Sequence, residues 1–313
     1  MIHRSKRTII FLLVGCFILM GISTVSAQGE YLDDTPRIAV MSAFTPELQL
    51  LLTQTETLEV YSINGIEFTT GTLAGNDVVL LLSGVSMVNA AMNTQLLFDN
   101  FNVTHLVFSG IAGGVNPELN IGDVTVPAQW AQYLESYFGR EMEDGSFQIP
   151  PWADQPFPNY GMIFPQTINV RTEAVPEGAE YFWFPVDAEM LEVAQTVAGN
   201  VELAQCPSDD VCLENAPQIV VGGNGVSGQV FVDNAAFREY TFETFDGVNV
   251  LDMESASSAM VAFANDIPFV AFRSLSDLAG GGPGENEIGV FFQVAADNSA
   301  TVVIAFLEEW AAR

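Results

Sequence analysis

The feature that most constrains this chain is a repeated switch of hydrophobic period. Short apolar, β-branched runs (RIAVMSA, LEVYSI, IEFTTG, DVVLLLSG, HLVFSG, DVTVP, QIVVGGNG, VNVLD and IPFVAFRS) recur along it. They alternate with stretches whose apolar residues return at helical spacing: PELQLLLTQ, MVNAAMNTQLLFDNF, DAEMLEVAQTVAG, DNAAFREYTFETF, MESASSAMVAFAN and VFFQVAADNSATVVIAFLEEW. Strands alternating with helices predict an α/β three-layer sandwich. SINGIEF and LAGNDVV set turn residues between two such runs, as hairpins do, so the central β-sheet is expected to be mixed rather than purely parallel.

The first 27 residues are set apart from the fold. Arg4, Lys6 and Arg7 precede the apolar TIIFLLVGCFILMGI, and VSA ends at Ala27, the three parts of a secretory signal peptide. LVGC ending at Cys16 is similar to a lipobox and keeps a lipoprotein as the alternative, although the apolar FILMG that follows is unlike a solvated tether. The expected organisation is a signal peptide over 1–27 and a single domain over 28–313, secreted or periplasmic. No later segment is expected to cross a membrane. Three of the nine basic residues leave with the signal while all 39 acidic ones stay, so the formal charge moves from −30 to 6 − 39 = −33. Such a chain repels nucleic acid and anionic membrane surfaces. The remainder has no lysine at all, a composition suited to salty or acidic surroundings.

Cys206 and Cys212, in CPSDDVC, read in an exported protein as a small-loop disulfide; a redox pair is more often C-x-x-C. His105, the one histidine after residue 27, lies inside THLVFSG and reads as buried and structural. Ser-His-Asp chemistry and histidine-rich metal sites are thereby disfavoured, and neither a metal nor an organic cofactor is expected. Residues 131–185, rich in Pro, Gly and aromatics with weak periodicity, read as an insertion packed over the domain.

In open α/β sheets ligands bind beyond the carboxyl ends of the strands. Those ends carry Thr45, placed to cap a helix, with Pro46 and Glu47 after it; Ser83 and Gly84; the stretch 109–115, with Ala112 and Gly113; Phe231 and Val232; Asp252, Met253 and Glu254; and Arg273, Ser276 and Asp277. Singly each has a plain explanation. Glu47 suits a helix dipole, Arg273 would neutralise Asp252, and SGIAGG has the look of a tight turn without the lysine of a phosphate loop. Together they converge on one end of one sheet.

SAFTPEL, SGVSMVNAA, SGIAGGVNPELNIGDV, VSGQVFVDNAAF, LDMESASSAMV and PFVAFRSLSDLAGG resemble the purine nucleoside phosphorylase and nucleosidase superfamily, nearest to methylthioadenosine/S-adenosylhomocysteine nucleosidases. The ordered set MES then SD, with a Glu after the first strand, is its specific part. The insertion, CPSDDVC and VFVDNAAFREY look most like the exported plant branch typified by bark storage proteins.

The resemblance implies a nucleoside phosphorylase-like fold, a small-molecule purine nucleoside as partner and a homo-oligomer, with a dimer favoured. It implies that Glu254 accepts hydrogen bonds from ribose hydroxyls and that Met253 packs beneath the sugar. Phe231 stacks on the purine with the Val232 backbone at its edge. Asp277, supported by Ser276, protonates N7, and Glu47 orients and deprotonates water. Ser83, Ala112, Gly113 and Arg273 complete the expected binding set. The chemistry requires this division, since a purine leaves poorly unless an acid protonates it and the opposite face needs a nucleophile. Arg273 is expected to face Asp252 or Glu47, because contact with Asp277 would strip its proton.

Two alternatives stay open. Phosphorylases of this superfamily hold phosphate with basic side chains, and neither SAFTPEL nor SGVSMVNAA has one, so water is favoured over phosphate. A non-catalytic storage or nucleoside-binding protein would be richer in nitrogenous side chains. Ser86 and Met87 stand where the bacterial nucleosidase tends to have Gly and Lys, and Asp252 stands for a Glu. GGGPG at 280–284 is expected to let the following segment close over the substrate.

Overall fold

The computed structural model describes residues 31–206, 211–282 and 284–313; the expected signal peptide and Pro283 of GGGPG lie outside the described residues. The chain opens with β1 (Asp33–Ser42), α1 (Thr45–Gln54), β2 (Glu56–Ile63), β3 (Ile66–Leu73), β4 (Asn76–Leu82), α2 (Met87–Asn100) and the long β5 (Phe101–Gly114), then β6 (Val124–Val126) and β7 (Gln129–Ala131). Three short ribbons follow: β8 (Ser136–Phe138) with β11 (Ile163–Pro165), β9 (Arg140–Glu141) with β10 (Phe147–Gln148), and β12 (Ile168–Val170) with β13 (Ala179–Tyr181). β14 (Trp183–Pro185) then returns to pair with β7. The chain ends with α3 (Ala188–Ala198), β15 (Ile219–Val221), β16 (Asn224–Ser227), α4 (Ala235–Thr244), β17 (Val248–Asp252), α5 (Ser255–Ala264), β18 (Phe269–Asp277) and α6 (Ile288–Ala311).

Twelve of these strands share one mixed sheet, in the order β14-β7-β16-β17-β5-β1-β4-β3-β2, with β18 beside β5 and β6 joining β18 to β15. Besides the parallel pair of β6 and β15, it contains two larger parallel blocks. In one, β4, β1, β5 and β18 run together; in the other, β7, β16 and β17. The blocks meet where Val250 and Leu251 of β17 pair antiparallel with Gly114 and Gly113. The two expected hairpins join β2 to β3 and β3 to β4. Asn64 and Gly65 (φ 52° and 81°), and Ala74 and Gly75 (φ 49° and 82°), put positive φ at both turn positions, whose twist matches that of the paired strands.

α6 packs against β18, β5, α1 and α3, while α2 and α5 pack on each other and on the sheet. Their alternation is visible within β18: Phe272 packs at a tilt against Phe306 of α6, whereas neighbouring Arg273 donates to Ser255 at the start of α5. By length and composition α6, with 24 residues, could cross a membrane, contrary to the expectation that no later segment would. Its apolar surface is instead spent on the core, through Phe291, Val302, Val303, Phe306 and Leu307.

Two local expectations are corrected. SGIAGG is not a turn but the last stretch of β5, kept in register with β18 on one side and β17 on the other. QIVVGGNG is two strands, β15 and β16, broken at Gly222 and Gly223, whose φ values of 102° and 68° no strand accommodates. Cys206 and Cys212 form a disulfide. His105 lies near the start of β5, edge-on to Trp310 at 4.8 Å, at the opposite end of the strand from SGIAGG. Four aromatic residues of 131–185 share a cluster with α4 and its flank: Tyr133, Phe157, Tyr160 and Phe182 pack with Phe237 and Phe245.

Candidate active site

Both parallel blocks deliver the carboxyl ends of their strands to one cleft, with a cavity volume of about 180 Å³. The first block supplies Glu47 after β1, Val85 after β4, Ile111 to Gly113 on β5, and Ser276 and Asp277 at the end of β18. The second supplies Phe231 and Val232 after β16 and Asp252, Met253 and Glu254 after β17. Gly114 is needed where β5 passes the end of β18, since a Cβ there would lie 2.9 Å from Leu275 and 3.0 Å from Leu278.

Glu47 is fully buried in the first turn of α1, and it rather than Thr45 caps that helix. Phe44 is the N-cap residue and Thr45 already helical. One Glu47 oxygen, Oε2, accepts from the N–H groups of Ala43 (2.7 Å) and Phe44 (3.4 Å), while Oε1 accepts from Ile111 N–H at 2.7 Å. Burial pushes the carboxyl up from its ordinary value, opposed by Arg273 and these three donors.

Arg273, completely buried, is the hub. Its Nε donates to Ser255 Oγ (2.9 Å) and lies 2.8 Å from Asp252 Oδ2, Nη1 donates to the Ile111 carbonyl (3.1 Å), and Nη2 lies 3.5 Å from Glu254 Oε2. Glu47 Oε1 is 3.9 Å from Nη1, and the guanidinium covers the Phe108 ring at 4.3 Å. One cation therefore serves three buried carboxylates and none of its contacts is to Asp277. Gly110 is needed beneath this pair: a Cβ there would strike Arg273 Nη1 and come within 2.5 Å of Glu47 Oε1.

Asp252 accepts from Ser227 Oγ and from the N–H groups of Glu254 and Ser255, both 3.2 Å, tying β16 to the start of α5. Glu254 accepts from Ser86 N–H at 2.8 Å. Its carboxyl is pushed up to about 7, chiefly by burial and further by Asp252 and Glu47, with Arg273 opposing. Ser86 donates from a strained backbone, φ 83° and ψ 155°, a region that strongly favours glycine.

Asp277 ends β18 at a distance from that network. Its Oδ2 accepts from Ser276 Oγ (2.9 Å) and its Oδ1 from Ala279 N–H (2.8 Å) and Asn286 Nδ2 (3.3 Å). Burial raises its pKa, and Asp233 adds to the rise against these hydrogen bonds. Phe231, 57% exposed, lines the cleft beside the buried Val232.

The structure thus gathers Glu47, Ala112, Gly113, Phe231, Val232, Met253, Glu254, Ser276 and Asp277 around one cleft, with Arg273 behind it. Ser83 is the exception. It is buried off the cleft wall, donating to the Gly84 carbonyl at 2.9 Å, while its own carbonyl accepts from Asn93. Phe44, Val85, Val230, Leu251 and Ile288 also line the cleft and carried no sequence signal beyond being apolar near strand ends or, for Ile288, at a helix start. Among the described residues, no group of three or more His, Cys, Asp or Glu side chains could hold a metal ion.

Comparison with known proteins agrees with this fold. Residues 37–308 match the phosphorylase superfamily. The chain is 28% identical over 273 residues to 5'-methylthioadenosine/S-adenosylhomocysteine nucleosidase of Tolumonas auensis, covering 87% of this chain and 99% of that protein. The Bacillus cytotoxicus protein of the same name is also 28% identical, over 275 residues, with the same coverage. The crystal structure of the Neisseria meningitidis nucleosidase in complex with methylthio-immucillin-A superposes with a TM-score of 0.64 at 25% identity, covering 87% of this chain and 98% of that one. Futalosine hydrolase of Helicobacter pylori shares the fold, with a TM-score of 0.63 at 19% identity over 88% of this chain and 98% of that one.

Proposed function

Because the chain belongs to the phosphorylase superfamily, we propose that it is an exported nucleosidase that hydrolyses the N-glycosidic bond of a purine nucleoside, methylthioadenosine-, S-adenosylhomocysteine- or adenosine-like, to free base and sugar. The observation that carries this reading is that one cleft holds two buried carboxyls with different partners. Asp277, whose pKa burial raises, stands outside the Arg273 network and suits a general acid. Glu47 is raised by burial too, but three backbone N–H groups and Arg273 oppose that rise, which suits the base of the pair.

In this reading the purine stacks on Phe231 and Asp277 gives its proton to N7 as the C1'–N9 bond breaks. The leaving base takes the bonding electrons as a neutral purine. The sugar passes through an oxocarbenium-like state, and Glu254 stabilises it by accepting from the ribose hydroxyls while Met253 packs below. Water held by Glu47 adds to C1' and yields its proton to that carboxylate. Water rather than phosphate is the nucleophile because no residue lining the cleft is basic and the nearby Arg273 is already shared among three carboxylates.

The test is purine release from methylthioadenosine, adenosine and inosine, with and without phosphate. Release in its absence with free sugar as product supports hydrolysis. Strict dependence on phosphate would make the protein a phosphorylase, and silence in both conditions a storage or binding protein. Export rests on the sequence of residues 1–27, and N-terminal sequencing of the protein recovered outside the cytoplasm should begin at Gln28. A homodimer is the proposed assembly, measured by sedimentation of the mature chain.

A further inference from the structure

Two polar residues outside the cleft wall, one 44 positions before Asp277 and one nine after it, bear on its carboxyl. Asn286 Nδ2 donates to Asp277 Oδ1 at 3.3 Å and to Asp233 Oδ1 at 3.1 Å. An amide nitrogen has two hydrogens, so both bonds can be made at once. The direction in which the amide faces is fixed independently. Its Oδ1 accepts from the N–H of Ile288 at 3.0 Å, the first residue of α6, and this turns Nδ2 toward the two carboxyls.

On the reading of Asp277 as general acid, we propose that Asn286 and Asp233 are its positioning residues, Asn286 holding Oδ1 so that the transferable proton resides on Oδ2, and Asp233 placing a negative charge beside the acid. Oδ1 already accepts from two N–H groups, those of Ala279 and Asn286, and a proton there would displace one of them. Oδ2 faces only the Ser276 hydroxyl, which can donate to it or turn to the Ala112 carbonyl at 3.3 Å. When Oδ2–H passes its proton to N7, the new carboxylate charge meets two N–H groups already aimed at Oδ1, so those bonds strengthen as the reaction proceeds. Asp233 works in the other direction, holding the proton on until a base is present to take it.

The charged and titratable groups around Asp277 come from every side. Asp233 precedes α4, Glu285 and Glu287 flank Asn286 before α6, Glu254 lies across the cleft, and Arg238 of α4 is directed to the Gly114 carbonyl at 2.8 Å. Asp233 is the carboxylate bonded to the same amide, and its neutral isostere is the direct probe.

The experiment is the pH profile of kcat/KM for purine release by the mature protein and three variants: Asp277→Asn, Asp233→Asn and Asn286→Ala. Loss of turnover in the first establishes the acid and is independent of the two positioning residues. If Asp277→Asn keeps full turnover, the reading of Asp277 fails and the inference with it. Given that loss, Asp233→Asn should move the alkaline limb to lower pH by about 0.5 unit, roughly threefold in rate on that limb, the interaction of two charges about 6 Å apart in a water-like medium. Asn286→Ala removes a donor to the carboxylate and should move the same limb to higher pH while lowering kcat. Opposite displacements are the signature, since a merely structural role would lower activity without moving the limb. An unmoved limb in both variants, or displacement of both in the same direction, overturns the proposal. Asp233 is exposed and Asn286 only half-buried, so neither substitution removes core packing.

Discussion

Glu254→Gln separates what the fold needs from what the reaction needs. Glu254 is buried, and its carboxyl is pushed from the ordinary 4.5 to about 7. A raised carboxyl binds its proton more tightly in the folded chain than in the unfolded one, so its contribution is fully present below about pH 4.5 and is lost as pH rises through about 7. Over that interval the loss approaches one proton, or about 3 kcal/mol in all. Glutamine removes the titration. Its amide oxygen can still accept from Ser86 N–H, and any change in the contact with Arg273 Nη2 is an offset that does not vary with pH. The stability of Glu254→Gln relative to the parent should therefore climb by about 3 kcal/mol from about pH 4 to about pH 8, roughly 5 °C in Tm. The assay is urea unfolding across that range, comparing the difference between the two proteins rather than either alone. Activity should fall in the same variant, because the ribose hydroxyls lose an anionic acceptor. Parallel stability curves would refute the reasoning and show that Arg273 holds Glu254 ionised throughout.

Asp277→Asn should lower kcat by about 10²–10⁴-fold with nucleoside binding retained, read by single-turnover purine release and calorimetry. Gly110→Ala places a methyl between Glu47 and Arg273 and should cost about 1–3 kcal/mol in urea unfolding together with much of the activity. Ser86→Gly relieves a backbone at φ 83° and should raise stability by about 1–3 kcal/mol, while the N–H to Glu254 persists. Arg273→Met leaves three carboxylates without their cation and should cost about 3–5 kcal/mol at neutral pH, less in acid as they protonate.

Much of the architecture is legible in hydrophobic period, because β1, β4, β5 and β18 are apolar runs long enough to read. The ribbons of 131–185 are two or three residues each, too short for any period, and QIVVGGNG reads as one strand until the two glycines are given their φ. In the site, Glu47, Asp252, Glu254, Arg273 and Asp277 are visible because charges at the ends of apolar strands need partners. Which charge pairs with which is set by the arrangement of β5, β17 and β18. Ser83 misleads because a hydroxyl at a strand end has two directions open to it, and here it turns to the main chain. Asn286 is silent in the sequence, one polar residue after a glycine-rich stretch, and acquires meaning only through the three atoms it bonds.

The neck formed by β7 and β14 has a consequence of its own. Ala131 pairs with Trp183, Trp130 with Phe184 and Gln129 with Pro185, so 50-odd residues leave and re-enter the sheet through adjacent strands. A segment closed at its base in this way can lengthen, shorten or be exchanged as a cassette without re-registering β1, which leads into the helix bearing Glu47, or β18, which ends in Asp277. Its contents are less free, because Tyr133, Phe157, Tyr160 and Phe182 pack with α4 and its flank, and α4 follows directly from the loop that presents Phe231. If a purine stacks on Phe231 as proposed, change inside the cassette would reach that floor through α4, and a lineage could retune which base it accepts while leaving Glu47 and Asp277 untouched.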